Sequence, residues 1–290
     1  MSAKAPGFFD TFTGDEAALM ETIIADLKDV AWAKPILDDI DKNGGLKGAN
    51  MPRFFELRQG YALHKAGITL SYEIAGEGES TIDFGFQSGG LRWNVEMLRL
   101  TETEAARGAT TTGVDEHGMQ WARRVLSGSN KDKRQSPEGE TLKAIERLCQ
   151  KCEKDGQPYK FPPAGSRTVN ALLVDFRTFS TRGGDVADRL HVGLGGSMVP
   201  HALRMYWGEG ENRKLITGVF DPHTTLKGSK EARERLHLIG FVNQRSFGSA
   251  DYAAAIQFIA NPHLIQNWRE ARAVIETWPL KPRTVLNRVT

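Results

Sequence analysis

Three carboxylates stand out by type and spacing: Glu56 in FFELRQGYALHKAG, Asp83 in STIDFGF and Glu96 in LRWNVEMLRL. Carboxylate oxygens are hard ligands, and a few of them brought together by one helix and two neighbouring strands suit Mg²⁺ or Mn²⁺. A divalent ion so held orients a phosphodiester, stabilises developing charge and lowers the pKa of an attacking water. Strand alternation predicts Ile82, Phe84 and Phe86 on one face of STIDFGF, with Thr81, Asp83 and Gly85 on the other. In LRWNVEMLRL, Trp93, Val95 and Met97 share one face and Asn94, Glu96 and Leu98 the other. Glu96 therefore lies in a largely apolar strand, where a carboxylate is costly unless a metal, a base or hydrogen-bond donors meet it. Glu56 has Gly60 and Leu63 one and two helical turns further on, a face expected to turn inward.

Cations follow these acids in chain order. Lys143, Arg147 and Lys151 recur at four-residue spacing on a helix opened by Ser136 and Pro137. Either Lys143 or Lys151 can supply the ammonium that polarises a nucleophile at the acids; a solvated helix face is the ordinary use of such a row. The basic run WARRVLSGSNKDKRQ contributes Arg123, Arg124, Lys131, Lys133 and Arg134, which as a loop can contact phosphates without reading sequence. Other candidate chemistry is weaker. HVGLGGSMVP lacks the spacing of phosphate-binding glycine loops and reads as a turn. Asp185 and Asp188 in RGGDVADRLH read as helix-capping acids. The histidines show neither HxxxH nor HExxH spacing, no GxSxG elbow occurs, and Cys149 and Cys152 read as reduced thiols one helical turn apart.

The elements that must position these residues are legible as hydrophobic periods. A helix is expected over 14–32, a connection in DDIDKNGGLKGANMP, and a second helix from Arg53 to Ala66 stopped by Gly67. Strands are expected in ITLSYEIA, STIDFGF and LRWNVEMLRL, the last two as a hairpin, followed by a loop-like stretch from Thr101 to Gln135. A helix from Ser136 to Lys154 and a buried strand in NALLVDFRTFS complete an α/β core, a mixed sheet flanked by helices. Beyond it, KLITGVF and HLIGFVN read as strands, ADYAAAIQFIA and NWREARAVIETW as helices. This gives an N-terminal helical extension over 1–51, a core over 52–180 and a C-terminal α/β elaboration over 181–290 packed on the core.

The helix acid, the aspartate of the second strand, the glutamate of the third, and the helix and strand after them resemble the PD-(D/E)XK nuclease superfamily, of restriction-endonuclease-like fold. The resemblance spans residues 53–178 and rests on order and spacing. It implies that Asp83 and Glu96 bind Mg²⁺ or Mn²⁺, that Glu56 assists, and that the substrate is nucleic acid, DNA first. Two departures are visible: Leu98 stands where Glu-x-Lys would place its lysine, and no proline precedes Asp83. Some members of the superfamily supply the lysine from the helix after the third strand, which here bears Lys143 and Lys151.

Composition bounds these expectations. With 290 residues, 40% of them hydrophobic, the chain can bury a sizeable core, and 38 Lys plus Arg against 36 Asp plus Glu leave no overall field for a polyanion. Nucleic acid must then be met by a local patch. The chain has no apolar run of about 18 residues and opens without a signal-peptide pattern, so a cytoplasmic protein with no membrane partner is expected. Two alternatives to a nuclease stand: a non-catalytic binding or assembly protein on a degenerate nuclease core, as a homo-oligomer or with a partner protein, and a phosphohydrolase of small nucleotides.

Overall fold

The computed structural model describes residues 11–102, 104–118, 120–126, 136–179, 184–242, 252, 255–281 and 283–286. One seven-stranded mixed sheet organises them: β1 (Ser71–Ala75), β2 (Thr81–Ser88), β3 (Leu91–Arg99), β4 (Thr168–Asp175), β5 (Leu238–Val242), β6 (Ile256–Ala260) and β7 (Thr284–Leu286) lie side by side in chain order. The first three strands form an antiparallel meander, β3, β4 and β5 run parallel, β6 returns antiparallel, and β7 joins parallel to β6.

Helices cover both faces. On one, α1 (Gly14–Leu27), α2 (Lys34–Lys42), α3 (Met51–Lys65) and α7 (Trp268–Glu276) bury Met20, Ile36, Phe54 and Ile275 against Phe84, Trp93, Val95 and Phe258. On the other, α4 (Pro137–Cys149), α5 (Val186–Gly193) and α6 (Ser229–Arg235) bury Ile145, Leu190 and Ala232 against Leu98, Leu172, Val174 and Phe241. Covered on both faces, β3 and β4 lose the polar alternation of a surface strand, as parallel strands do. Trp278, just past α7, meets Trp93 at 5.0 Å and Phe258 at 5.3 Å between ring centroids, tying the C-terminal segment to the strand that bears Glu96. No helix among the described residues is long and apolar enough to cross a membrane.

Local chemistry sets the helix ends. Thr13 and Glu16 form a capping box on α1, as Asp185 and Asp188 do on α5. Ser136 caps α4 with Pro137 behind it, and Gly67 follows α3 at φ +77°, where a side chain would be strained. Cys149 and Cys152 are buried free thiols.

Several sequence expectations are corrected. The first helix stops at Leu27, and part of the turn-rich stretch after it is helical: α2 has Pro35 in its first turn and buries Ile36 and Ile40, an i, i+4 pair. The segment from Thr101 holds a short helix, Glu104–Gly108, and a hairpin pairing Thr110–Val114 with Gln120–Arg124. In KLITGVF only Lys214–Leu215 is strand. In ADYAAAIQFIA the alanines suggested a helix, yet Ile256–Ala260 is β6, held between β5 and β7 by ladders that outweigh local propensity.

Candidate active site

The alternation expected in STIDFGF fails at Asp83. Phe84 and Phe86 pack under α3, whereas Ile82 belongs to the core on the opposite face. The partner strand turns over at the same step: β1 pairs Tyr72 with Phe84 and Ile74 with Ile82, skipping the Glu73–Asp83 step, and Glu73 has φ +51°. A left-handed residue inside a strand breaks the pleat, so the ribbon swaps faces there. The ladder between β2 and β3 runs from Ser88–Leu91 to Phe84–Val95; beyond it the Met97 N–H donates to Asp83 Oδ2 at 2.6 Å. Asp83 thus stands where the hairpin opens, between Glu96 on one face and Glu56, which α3 supplies, on the other.

Glu96 lies in β3 with its side chain 1% exposed. Lys151, two residues beyond the end of α4, donates from Nζ to Glu96 Oε1 at 2.7 Å. Lys160 pairs with the same oxygen at 3.1 Å and donates to the Thr81 carbonyl at 2.6 Å. Glu96 Oε2 is buried with no hydrogen-bond partner. Glu56 is engaged otherwise: Arg53 donates to its Oε2 at 2.9 Å and Tyr72 Oη at 2.7 Å, and Arg53 also reaches Asp39 at 2.7 Å. A cleft lined by Asp38, Asp39, Lys42, Arg53, Tyr72 and Glu73 borders this side of the cluster.

The electrostatics follow from crowding acids in a dry place. Burial, then the charges of Glu96 and Glu56, hold the Asp83 carboxyl well above the usual range against the Met97 N–H bond. Burial likewise raises Glu56, opposed by Arg53 and Tyr72. For Lys151, burial acts to lower the pKa, but the Glu96 charge and hydrogen bond, with Asp83 and Glu56, leave it above its ordinary value. The ammonium stays charged.

A divalent ion fits this donor set in part. Glu96 Oε2 is an orphaned buried oxygen, Asp83 is a repelled carboxylate beside it, and one or two carboxylates with waters and substrate oxygens suffice for Mg²⁺. Glu56 is committed to Arg53 and Tyr72, and among the described residues no group of three or more His, Cys, Asp or Glu is placed to hold an ion. Asp83 and Glu96 are the pair that would hold it.

Of the two candidate lysines, only Lys151 reaches the acids. Lys143 is 56% exposed and paired with Glu146 at 3.3 Å on its own helix, so its expected place at the site is corrected. Arg123 is exposed on the hairpin. Arg124 is not a phosphate contact: its side chain is 1% exposed, ion-paired with Glu102 and Glu140 and bonded to the Thr178 carbonyl at 2.9 Å. Lys131, Lys133 and Arg134 lie outside the described residues. Lys160, Arg53 and Tyr72 escaped sequence reasoning. Arg53 stands three residues before Glu56 and was findable as a helical pair; Tyr72 and Lys160 arrive by tertiary contact with no periodic signal.

No family model matches the chain, and neither a curated protein nor a solved structure does.

Proposed function

We propose that the chain is a divalent-metal-dependent endonuclease with a restriction-endonuclease-like core, hydrolysing phosphodiester bonds in nucleic acid, DNA first. The observation that carries this is the Lys151 ammonium on Glu96 beside Asp83. An acid pair from the second and third strands meets a lysine from the following helix end, although Leu98 fills the position where Glu-x-Lys would place it. Mg²⁺ or Mn²⁺ bound by Asp83 and Glu96 would supply charge neutralisation and acidify the attacking water. The chain's own groups do the rest. Lys151, charged and within reach of the acids, orients the attacking water and stabilises charge developing on the phosphoryl oxygens as the P–O bond breaks. Arg53 and Tyr72 fix Glu56 so that its repulsion with Asp83 is bounded.

Plasmid incubated with Mg²⁺ or Mn²⁺ and the purified chain tests this beside an Asp83→Ala, Glu96→Ala variant. Nicking lost in the variant is expected; equal nicking by both proteins refutes the assignment.

The engagement of Glu56 by Arg53 and Tyr72 favours a second possibility, a non-catalytic binding or assembly protein on the same core. Calorimetry with Mn²⁺ separates the two. A site lost on Asp83→Asn supports the nuclease, whereas absence of heat together with a stable oligomer supports the scaffold.

A further inference from the structure

Two lysines meet one oxygen of one glutamate, in a cluster that also holds Asp83. They arrive from different segments and differ in freedom. Lys151 follows the end of α4 and bonds Glu96 alone, with its side chain 28% exposed. Lys160 is 14% exposed and held at several points. Its N–H donates to Ser80 Oγ at 3.1 Å, its carbonyl accepts from Glu77 N at 3.0 Å, and its backbone keeps φ +64°, a region lysine rarely enters. The carbonyl also lies where a Cβ on Gly76 would be, 2.6 Å away, so the turn before β2 seats against this loop. Such a fixed backbone presents the ammonium in one place.

An ammonium has three N–H donors. Lys160 directs one to Thr81 and faces Glu96 with a second, and Lys151 directs one to Glu96. Both lysine side chains, 28% and 14% exposed, are less buried than the glutamate at 1%, and the Lys160 ammonium also lies 5.8 Å from the centre of the Tyr159 ring. Glu96 is therefore the more deeply buried part of the site and the two lysines the more exposed part. We propose that Lys160 is a phosphate contact of this site: with Lys151 it forms a two-ammonium mouth that receives the oxygens of one backbone phosphate of nucleic acid. Naming a phosphodiester as the anion rests on the nuclease assignment.

The test is binding of a fluorescent DNA duplex in EDTA, over a salt series, by wild type, Lys160→Met, Lys160→Asn and Lys160→Arg. Asparagine tolerates positive φ, so it removes the ammonium even if the methionine variant folds poorly. The Met and Asn variants are expected to bind several-fold more weakly, with the slope of log K against log salt flattened by about 0.9, and Arg to recover most of both. A merely structural lysine would leave the slope untouched. Unchanged affinity and slope overturn the Lys160 assignment even where the wild type nicks plasmid. Lysine-dependent binding without nicking by the wild type refutes the nuclease assignment alone, and no DNA binding by any protein overturns both.

Discussion

At the scale of single residues, each of the three acids is compensated differently, which sets what each substitution should do. Glu56 depends on two donors, one of them the Tyr72 hydroxyl at 2.7 Å. Tyr72→Phe keeps the ring packed near Phe84 and removes that bond to a charged acceptor together with the one its hydroxyl accepts from Arg53 at 3.1 Å, so a loss of about 1.5–3 kcal/mol is expected from urea midpoints. A loss under about 0.5 kcal/mol would mean that Arg53 alone satisfies Glu56. Lys151 was legible because its row on α4 pointed at the acids. Lys143 shared that row, and position along it separated them: Lys143 lies two turns earlier and is exposed, whereas Lys151 stands past the end of α4, beside Glu96. Lys160 was not legible, since nothing in QPYKFPP signals that its loop closes against the start of β2.

Among the elements, those with clear end signals began or ended where the sequence suggested: α3 with Gly67 behind it, the start of α4 behind Ser136, and the hairpin of β2 and β3 at Gly89 and Gly90. The helix α4 itself stops at Cys149 rather than Lys154, because Glu153–Lys154 pairs as a short strand with Gln157–Pro158. The face swap at Asp83 was hidden, because a period of two assumes a continuous pleat and the break is caused by Glu73 on a different strand. The glycines of HVGLGG turned out to be packing residues, Gly195 lying against the Gly218 backbone and the Ser197 N–H donating to Asp221. Gly60 in α3 allows a sharper statement. Helix propensity alone favours alanine over glycine by about 1 kcal/mol. A Cβ there would lie 2.3 Å from the Trp32 ring and 3.2 Å from Phe84, contacts too close to keep. Overpacking costs about 1–3 kcal/mol, so Gly60→Ala is expected to lower the thermal midpoint. A raised midpoint would show that Trp32 moves aside freely.

For the whole molecule, the sheet is continuous from β1 to β7, and segment 181–290 supplies three of its strands. Ending the chain at residue 180 would leave β4 as an edge whose residues 169–175 are all buried in the full chain, and the shortened protein is expected to aggregate rather than fold, as judged by circular dichroism and sedimentation. The parallel strands are joined at their amino ends by a polar seam. Asn94 donates to Asn170, the Asn170 N–H donates to His237 Nδ1 at 3.2 Å, and the His237 N–H returns to the Asn170 carbonyl at 2.9 Å. Because Nδ1 accepts, the folded imidazole is neutral. Burial lowers its pKa from 6.5 to about 4, with Glu270 opposing weakly. Below about pH 6.5 the unfolded chain takes up a proton that the folded chain refuses, so stability is complete above that value and declines as pH falls toward about 4. The full gap is worth about 3 kcal/mol. Between about pH 7 and about pH 4.5, His237→Gln should therefore lose roughly 2–3 kcal/mol less stability in urea than the wild type. Parallel losses in the two proteins would place the acid sensitivity in groups other than His237, and not in Asp83 or Glu56, whose raised carboxyls favour the folded state as pH falls.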